Sequence, residues 1–486
     1  MSRGSGATLL RFVPLLLLSA AAAQEPAEAA LRRPAGLAAK LDALIAPIDA
    51  EQGIRVGVCV RDLEGGTVYA HRAGEDFVLA SNMKLATTAA ALLALPPGFR
   101  WETRSWLADG RLWIRGGGDP SLRVLPEGDA AEAWLDDLSF ALDHAGAGPL
   151  REIVVDQDHF DREWRHPLWP EEQWQAEYEA PVSALGVYGN CVRVAVADSR
   201  AAQLEPALEP PLELRVAAGS GPRDFRAWWS RADQKVQVSL GGEARGEARI
   251  AVKDPGDFVT RFVAAGLARR GWRAPVRLAE PEEPRPAGKP LHVQPSAWSL
   301  AQAVVVANKE SDNWVTEMIF KTLAARSGGP GGFGGGAAAV RAALAGAGAE
   351  EAAFAPADGS GMARSRDDAA NAGTPAAVCE LLEIMSKASS GRIYFDSLLV
   401  GGAEGRIEQL FADPLFADGR VRAKTGWITG ASSLSGYVLA GDDQVLAFSV
   451  LVNYTKDDTM RTHNRRFREL QKSVVAEVLR AWEAPR

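Results

Sequence analysis

The sequence predicts an α/β protein in which an antiparallel sheet flanked by helices is interrupted by inserted β-rich domains. In residues 54–71 apolar side chains alternate along the chain as they do in strands, and a turn at Gly65 and Gly66 divides the segment into two strands. Strand-like alternation returns after Val421, and the apolar spacing of residues 465–482 predicts a closing helix that packs on the sheet. Between these ends, β-like runs and turn clusters alternate over a stretch far longer than a loop.

Length and composition limit the number of folding units and the classes of partner that the protein can bind. A chain of 486 residues with 47% hydrophobic and 24% charged residues can bury a large core, and its length predicts two or three folding units. The net charge of −8 gives no basic field for nucleic acid, and no run of lysine and arginine indicates a lipid-headgroup patch. We therefore expect no nucleic-acid partner.

The first 23 residues have the pattern of a signal peptide. Arg3 and Arg11 precede an apolar run at residues 12–23 that ends in small residues suited to cleavage. The run is too short to span a bilayer comfortably, and no later segment approaches the roughly 20 apolar residues of a spanning helix. We expect an exported protein, periplasmic or associated with the cell envelope, without a stable membrane span.

The cysteines and histidines predict a mechanism without metal or cofactor. Three cysteines, Cys59, Cys191 and Cys379, allow at most one disulfide. Their apolar flanks favour three buried thiols, although export permits one bridge. Neither these cysteines nor the six histidines have the spacing of metal ligands.

Three short motifs follow one another along the chain. They are Ser81-Asn82-Met83-Lys84, Ser311-Asp312-Asn313 and Lys424-Thr425-Gly426. Each motif alone is weak evidence, but together they form the S-x-x-K, S-D-N, K-T-G series of penicillin-interactive serine enzymes. That series indicates acyl transfer through a serine ester.

The first motif predicts a nucleophile and its base. Residues 81–95 are rich in helix formers, so Ser81 and Lys84 lie on the same face of a short helix. A serine hydroxyl is a poor nucleophile until a base removes its proton. Lys84 can be that base if its pKa is lowered by burial and by a second cation. Lys424 is available as that cation. Without the other motifs, Ser81 would be a helix cap and Lys84 a solvated lysine.

The second motif suits proton relay and substrate binding. Ser311 can pass a proton between Lys84 and a leaving amine, and Asn313 can hydrogen-bond a substrate amide while Asp312 points elsewhere. The alternative is a serine or Asx turn without chemistry.

The third motif suits an anionic substrate. A cation and a hydroxyl on a strand, Lys424 and Thr425, match a substrate carboxylate. Gly426 permits close approach of the substrate backbone. The backbone N–H groups of Trp427 and Ser81 would then form an oxyanion hole.

The chain resembles the D-alanyl-D-alanine carboxypeptidase and endopeptidase family of class C low-molecular-mass penicillin-binding proteins, peptidase family S13. Beyond the three motifs, the resemblance rests on residues 115–122 (RGGGDPSL), 154–160 (VVDQDHF), 178–190 (YEAPVSALGVYGN) and 358–361 (DGSG), with Arg364 beyond the last. Two departures are Trp427, where a small hydroxyl residue is usual, and Met362-Ala363 in place of Leu-Ser.

The resemblance implies a penicillin-binding transpeptidase or β-lactamase-like fold that cleaves peptidoglycan stem peptides and is inhibited by β-lactams. Carried over, Ser81 is the nucleophile, Lys84 the general base and Ser311 the proton relay. Asn313 is then a substrate ligand, and Lys424 with Thr425 binds the terminal carboxylate. Alternatives are a serine β-lactamase, which would hydrolyse the penicilloyl ester quickly, and a cell-wall binding protein without turnover.

Composition also predicts the domain boundaries. Prolines at residues 281–290 indicate a connector that ends the insertion. We expect a transpeptidase-like catalytic domain from residues 24–95 and 291–486, with residues 96–290 inserted as two nested domains. The glycine-rich residues 327–336 lack the lysine of a phosphate-binding loop, and they predict a flexible surface loop.

Overall fold

The structure is a computed structural model that describes residues 34–123, 129–198, 201–230, 235–365, 369–441, 444–455 and 460–483. The predicted signal peptide, residues 1–23, lies outside these ranges. No helix within them combines the length and apolar character needed to cross a bilayer.

The helices in the described ranges are α1 (Leu37–Asp49), α2 (Met83–Ala94), α3 (Ala130–His144), α4 (Pro255–Arg269), α5 (Leu300–Val305), α6 (Asn313–Arg326), α7 (Phe333–Gly346), α8 (Pro375–Lys387), α9 (Gly391–Asp396) and α10 (Met460–Glu483). The strands there are β1 (Ile54–Asp62), β2 (Thr67–His71), β3 (Phe77–Val78), β4 (Glu102–Ala108), β5 (Arg111–Arg115), β6 (Glu152–Asp156), β7 (Cys191–Asp198), β8 (Ala201–Glu205), β9 (Leu214–Ala218), β10 (Phe225–Trp229), β11 (Val236–Leu240), β12 (Gly246–Ala251), β13 (Val276–Leu278), β14 (His292–Pro295), β15 (Phe354–Ala355), β16 (Ala372–Gly373), β17 (Leu399–Val400), β18 (Val421–Ile428), β19 (Ala431–Leu439) and β20 (Val445–Tyr454).

The main sheet joins the two ends of the chain. Its six strands run antiparallel in the order β17-β18-β19-β20-β1-β2, so the predicted hairpin β1-β2 pairs with strands from the C-terminal part. Helices α1 and α10 pack on one face, where Leu41, Ile45 and Phe467 are buried. Helix α8 packs on the other face. The predicted closing helix is therefore confirmed, and so is its contact with the sheet.

Helix α2 lies inside the protein. Residues from Met83 to Leu92 are all buried, and the helix contacts α6, α7 and α8. A helix that is apolar around most of its circumference is stable only when it is buried in this way. It ends at Ala94, and Leu95 is extended because it precedes Pro96. The short buried helix predicted from the sequence is confirmed.

The region between α2 and α5 contains a mixed five-stranded sheet in the order β13-β6-β5-β4-β14. Strands β5, β6 and β13 run parallel, and helices α3 and α4 provide the crossovers that parallel neighbours require. Two three-stranded sheets, β12-β7-β8 and β10-β11-β9, also lie in this region. The predicted strands are present, whereas α3 and α4 were not predicted.

Two further sequence predictions can be compared with the structure. Cys59, Cys191 and Cys379 are buried free thiols, as predicted. The prediction of a flexible loop at residues 327–336 is wrong for its second half, because α7 begins at Phe333 and Gly336 is buried. A Cβ atom at Gly336 would lie 2.4 Å from the Phe320 ring, so this glycine allows α7 to approach α6 closely.

Gly336→Ala should therefore lower the free energy of unfolding by about 1–3 kcal/mol through overpacking. The matched control is Gly334→Ala on the same helix, where a Cβ has nothing within 4 Å. That exposed change should raise stability by up to about 1 kcal/mol, since alanine favours the helix. Urea unfolding midpoints of the two variants measure the difference, and equal midpoints would contradict the packing argument.

Candidate active site

The first motif brings a lysine amine into contact with a serine hydroxyl. The turn Ala80–Asn82 leads directly into α2, so Ser81 and Lys84 are one turn apart. Lys84 Nζ lies 3.1 Å from Ser81 Oγ, and it donates to Asn313 Oδ1 at 2.7 Å and to the Ser360 carbonyl at 2.8 Å. The latter two oxygens can only accept, so the lone pair of a neutral amine is left for the Ser81 hydroxyl.

Burial determines the protonation of both lysines in the site. Lys84 is fully buried, and burial lowers its pKa to about 8, against the opposing charges of Glu317, Asp358 and Asp312. Burial, and then the charge of Lys84, holds the pKa of Lys424 well below its usual range. The pKa of Lys84 therefore shifts in the predicted direction, with burial as the main cause.

The second motif bridges the two lysines. Ser311 follows the single π turn Val306–Glu310 and adopts the left-handed conformation at φ 58°, which turns the chain before α6 begins at Asn313. Lys424 Nζ donates to Ser311 Oγ at 2.8 Å, while Asn313 holds Lys84. The two side chains of the motif thus contact one lysine each.

Asn313 and Asp312 also anchor the motif to its surroundings. Asn313 Nδ2 donates to the Tyr178 carbonyl at 2.9 Å and lies 3.5 Å from Met362 Sδ, so the amide bridges Lys84 and the segment of Tyr178. Asp312 caps α6 by accepting from the N–H of Val315, and it pairs with Arg123 at 2.6 Å. Asp312 therefore points away from Ser81, as predicted.

The third motif lies on β18 beside the serine. A Cβ atom at Gly426 would lie 2.2 Å from Ser433 Oγ and 2.9 Å from the Ser81 nitrogen, so only glycine allows this approach. The Lys424 side chain is buried, Thr425 is half-buried and Trp427 is 44% exposed. The structure thus brings Ser81, Lys84, Ser311, Asn313, Lys424 and Gly426 together, with Thr425 and Trp427 next to them along the strand.

Asn82 connects the first and third motifs, a role that sequence reasoning missed. Its amide donates to the Lys424 carbonyl at 2.9 Å, and its oxygen accepts from Ser435 at 2.7 Å. Because Asn82 is fully buried, these bonds fix the start of α2 against β18 and β19.

Two buried carboxylates support the site, and sequence reasoning did not identify either as functional. Glu317 accepts from the N–H groups of Gly359 and Ser360 at 2.9 and 2.7 Å. Burial, followed by the charge of Asp358, raises the pKa of Glu317 to about 8. The available signal for Glu317 was its position one helical turn after Asn313.

Asp358 organises the DGSG loop that holds Lys84. It accepts from the N–H groups of Gly361, Met362 and Ala363, at distances between 2.6 and 3.2 Å. Trp169 donates its indole N–H to the same carboxylate at 2.7 Å. Trp169 comes from the region between α2 and α5, so this region contributes directly to the geometry around Lys84.

Trp169→Phe should weaken the DGSG loop, because a buried carboxylate would lose one charged hydrogen bond worth about 1.5–3 kcal/mol. We expect a lower unfolding midpoint together with slower acylation of Ser81. The matched control is Trp174→Phe, since Trp174 lies in the same segment and stacks on Arg165 instead of contacting Asp358. Equal behaviour of the two variants would show that the indole bond to Asp358 has no special importance.

Comparison with known proteins identifies relatives along nearly the whole chain. A model of the D-Ala-D-Ala carboxypeptidase 3 (S13) family matches residues 37–474. The D-alanyl-D-alanine carboxypeptidase of Actinomadura sp. (strain R39) is 29% identical, over 93% of this chain and 87% of the relative. Carboxypeptidase DacB of Mycolicibacterium smegmatis is 26% identical, over 86% of this chain and 80% of the relative.

Solved structures confirm the predicted fold class. Penicillin binding protein 4 (dacB) from Haemophilus influenzae matches with a TM-score of 0.74 at 20% identity, over 90% of this chain and 99% of that one. A predatory peptidoglycan endopeptidase from Bdellovibrio bacteriovorus matches with a TM-score of 0.51 at 16% identity, over 88% and 93% of the two chains. Because the family model matches most of the chain, the chain belongs to the D-Ala-D-Ala carboxypeptidase 3 (S13) family of serine peptidases.

Proposed function

We propose that this protein cleaves the D-alanyl-D-alanine bond of peptidoglycan stem peptides through an acyl-enzyme on Ser81, as a carboxypeptidase, an endopeptidase or both. The observation that carries the proposal is the buried Lys84 amine, 3.1 Å from Ser81 Oγ, with its other bonds made to acceptors. An amine held in this way is a base directed at one hydroxyl. The two activities share the same acyl-enzyme and differ in the leaving amine.

In the proposed acylation step, neutral Lys84 takes the proton of Ser81 as Oγ attacks the carbonyl carbon of the penultimate D-alanine. The backbone N–H groups of Ser81 and Trp427 stabilise the oxyanion. The intermediate collapses as the C–N bond breaks, and the leaving amine receives a proton through Ser311. Water then hydrolyses the Ser81 ester, with Lys84 again accepting a proton.

In this proposal the remaining motif residues bind the substrate. Lys424 and Thr425 interact with the terminal carboxylate, Gly426 gives the substrate backbone room, and Asn313 holds an amide of the stem peptide. For the last role, Asn313 Nδ2 has a second N–H besides the one donated to the Tyr178 carbonyl, and its present contact is the weak acceptor Met362 Sδ at 3.5 Å.

The same proposal includes the location and the domain division. Stem peptides lie outside the cytoplasmic membrane, so we place the enzyme in the periplasm or at the cell envelope, with β-lactams as inhibitors. The catalytic domain would be residues 24–95 and 291–486, and residues 96–290 would be two nested insertions. The boundary at residue 290 comes from the sequence; because β14 pairs with β4, we propose to move the end of the insertion to Pro295.

Benzylpenicillin should form a long-lived adduct with the mature protein and none with Ser81→Ala. The reason is that the β-lactam acylates the serine and leaves a penicilloyl ester that the site hydrolyses slowly. The intact mass of the protein, followed over time, measures the amount of adduct, and the loss of free penicillin is a second readout. Rapid loss of penicillin without an adduct would favour a β-lactamase, and absence of any reaction would refute the acyl-serine mechanism.

The acylation rate at low penicillin concentration should rise about tenfold per pH unit below pH 8 and become constant above it. Burial lowers the pKa of Lys84 to about 8, and only the deprotonated amine can accept the Ser81 proton. Stopped-flow or mass-spectrometric rates between pH 6 and 10 give the profile. A rate independent of pH across this range would contradict the role of Lys84 as the base.

A further inference from the structure

Two arginines line a small pocket at the end of the third motif. Arg406 and Arg468 form its walls together with Thr425, Gly426, Trp427 and Gln471. The pocket has a volume of about 10 Å³, which is room for one water-sized group. Arg468 comes from α10 and Arg406 from the segment between β17 and β18, so two distant parts of the chain converge here.

Both guanidinium groups bring positive charge to the pocket. Within the described residues, Arg406 and Arg468 take part in no ion pair and donate no hydrogen bond. Arg468 is half-buried, and its pKa is lowered first by burial and then by the charge of Arg406. Repulsion between two cations across a partly desolvated pocket destabilises the folded protein unless an anion binds between them.

The rest of the lining is also suited to an anion. It contains no acidic side chain, and it adds the hydroxyls of Thr425 and Ser432. The hydroxyl of Ser433, which also lines the pocket, already donates to the Leu79 carbonyl at 2.8 Å. The Gln471 amide donates to Ser432 Oγ at 3.4 Å, which leaves the Ser432 proton free to be donated elsewhere. An exposed arginine alone would be an ordinary surface charge, but here charge and hydroxyl groups face the same space.

The position of the pocket links it to the reaction centre. Its wall includes Gly426, and a Cβ atom there would lie 2.9 Å from the Ser81 nitrogen. Lys424, the cation expected for the carboxylate, already donates to Ser311 and to the Thr425 carbonyl. The next residue along the strand, Trp427, carries neither a charge nor a hydroxyl group. A carboxylate therefore needs further donors at this end of the cleft.

We propose that Arg406 and Arg468 form an anion subsite that binds the C-terminal carboxylate of the leaving D-amino acid. A guanidinium binds a carboxylate through N–H bonds, and the pocket between the two arginines has room for one carboxylate oxygen. The inference rests on the proposed function, since it takes the substrate to be a D-alanyl-D-alanine peptide. It adds binding residues that lie outside all three motifs.

The test compares two peptides that differ only in this charge: an N-acylated peptide ending in D-Ala-D-Ala and the same peptide ending in D-alaninamide. In the Ser81→Ala protein, which cannot turn the peptides over, calorimetry measures the dissociation constant of each. We expect Arg468→Gln to weaken binding of the acid about tenfold or more, and Arg406→Gln to weaken it by less because Arg406 is exposed. Binding of the amide should change little.

The matched control is Arg466→Gln, because Arg466 lies on the same helix and pairs with Glu51. It should leave both dissociation constants unchanged, and Arg468→Lys should restore part of the affinity for the acid. Equal losses for acid and amide, or no loss in Arg468→Gln, would overturn the subsite. In otherwise native protein, failure of benzylpenicillin to acylate Ser81 would refute the proposed function separately, because the binding measurement does not depend on turnover.

Discussion

The buried amine of Lys84 is the interaction on which the rest of the site depends. Its three polar contacts come from the nucleophile turn, from the start of α6 and from the DGSG loop. Placing an ammonium group in a dry interior is costly unless charges and acceptors surround it, and the pKa falls as a result. The same burial that makes the lysine a base therefore also fixes the relative positions of three separate segments.

The acidic groups around this amine limit how far burial lowers the pKa of Lys84. Glu317 and Asp358 oppose the drop in the pKa of Lys84, and they also hold the N–H groups of the loop that contacts it. Arg406 acts in the other direction, since its positive charge lowers the pKa of both Lys84 and Lys424. Acidic groups and a guanidinium close to the same two lysines give an uneven charge distribution that suits a substrate ending in a negative charge.

The sequence predicted the parts of this arrangement that are encoded locally. Ser81 and Lys84 are related by helical spacing, and the strands of the main sheet alternate visibly. Helices α3 and α4 were missed because β-like runs dominated the interpretation of that region. Trp169, Arg406 and Arg468 carry no local signal of function, since tertiary packing alone brings them to the site. For Glu317 the local signal was its position one helical turn after Asn313. Glycine content likewise could not distinguish a flexible loop from the close α6-α7 contact at Gly336.

The bond from Trp169 to Asp358 means that this protein is not modular in the way its sequence layout suggests. A shorter chain without the region between α2 and α5 would keep every motif residue and lose a donor that holds the loop in contact with Lys84. Residue 169 and the DGSG loop can therefore change only in step, which couples two stretches of sequence 189 positions apart.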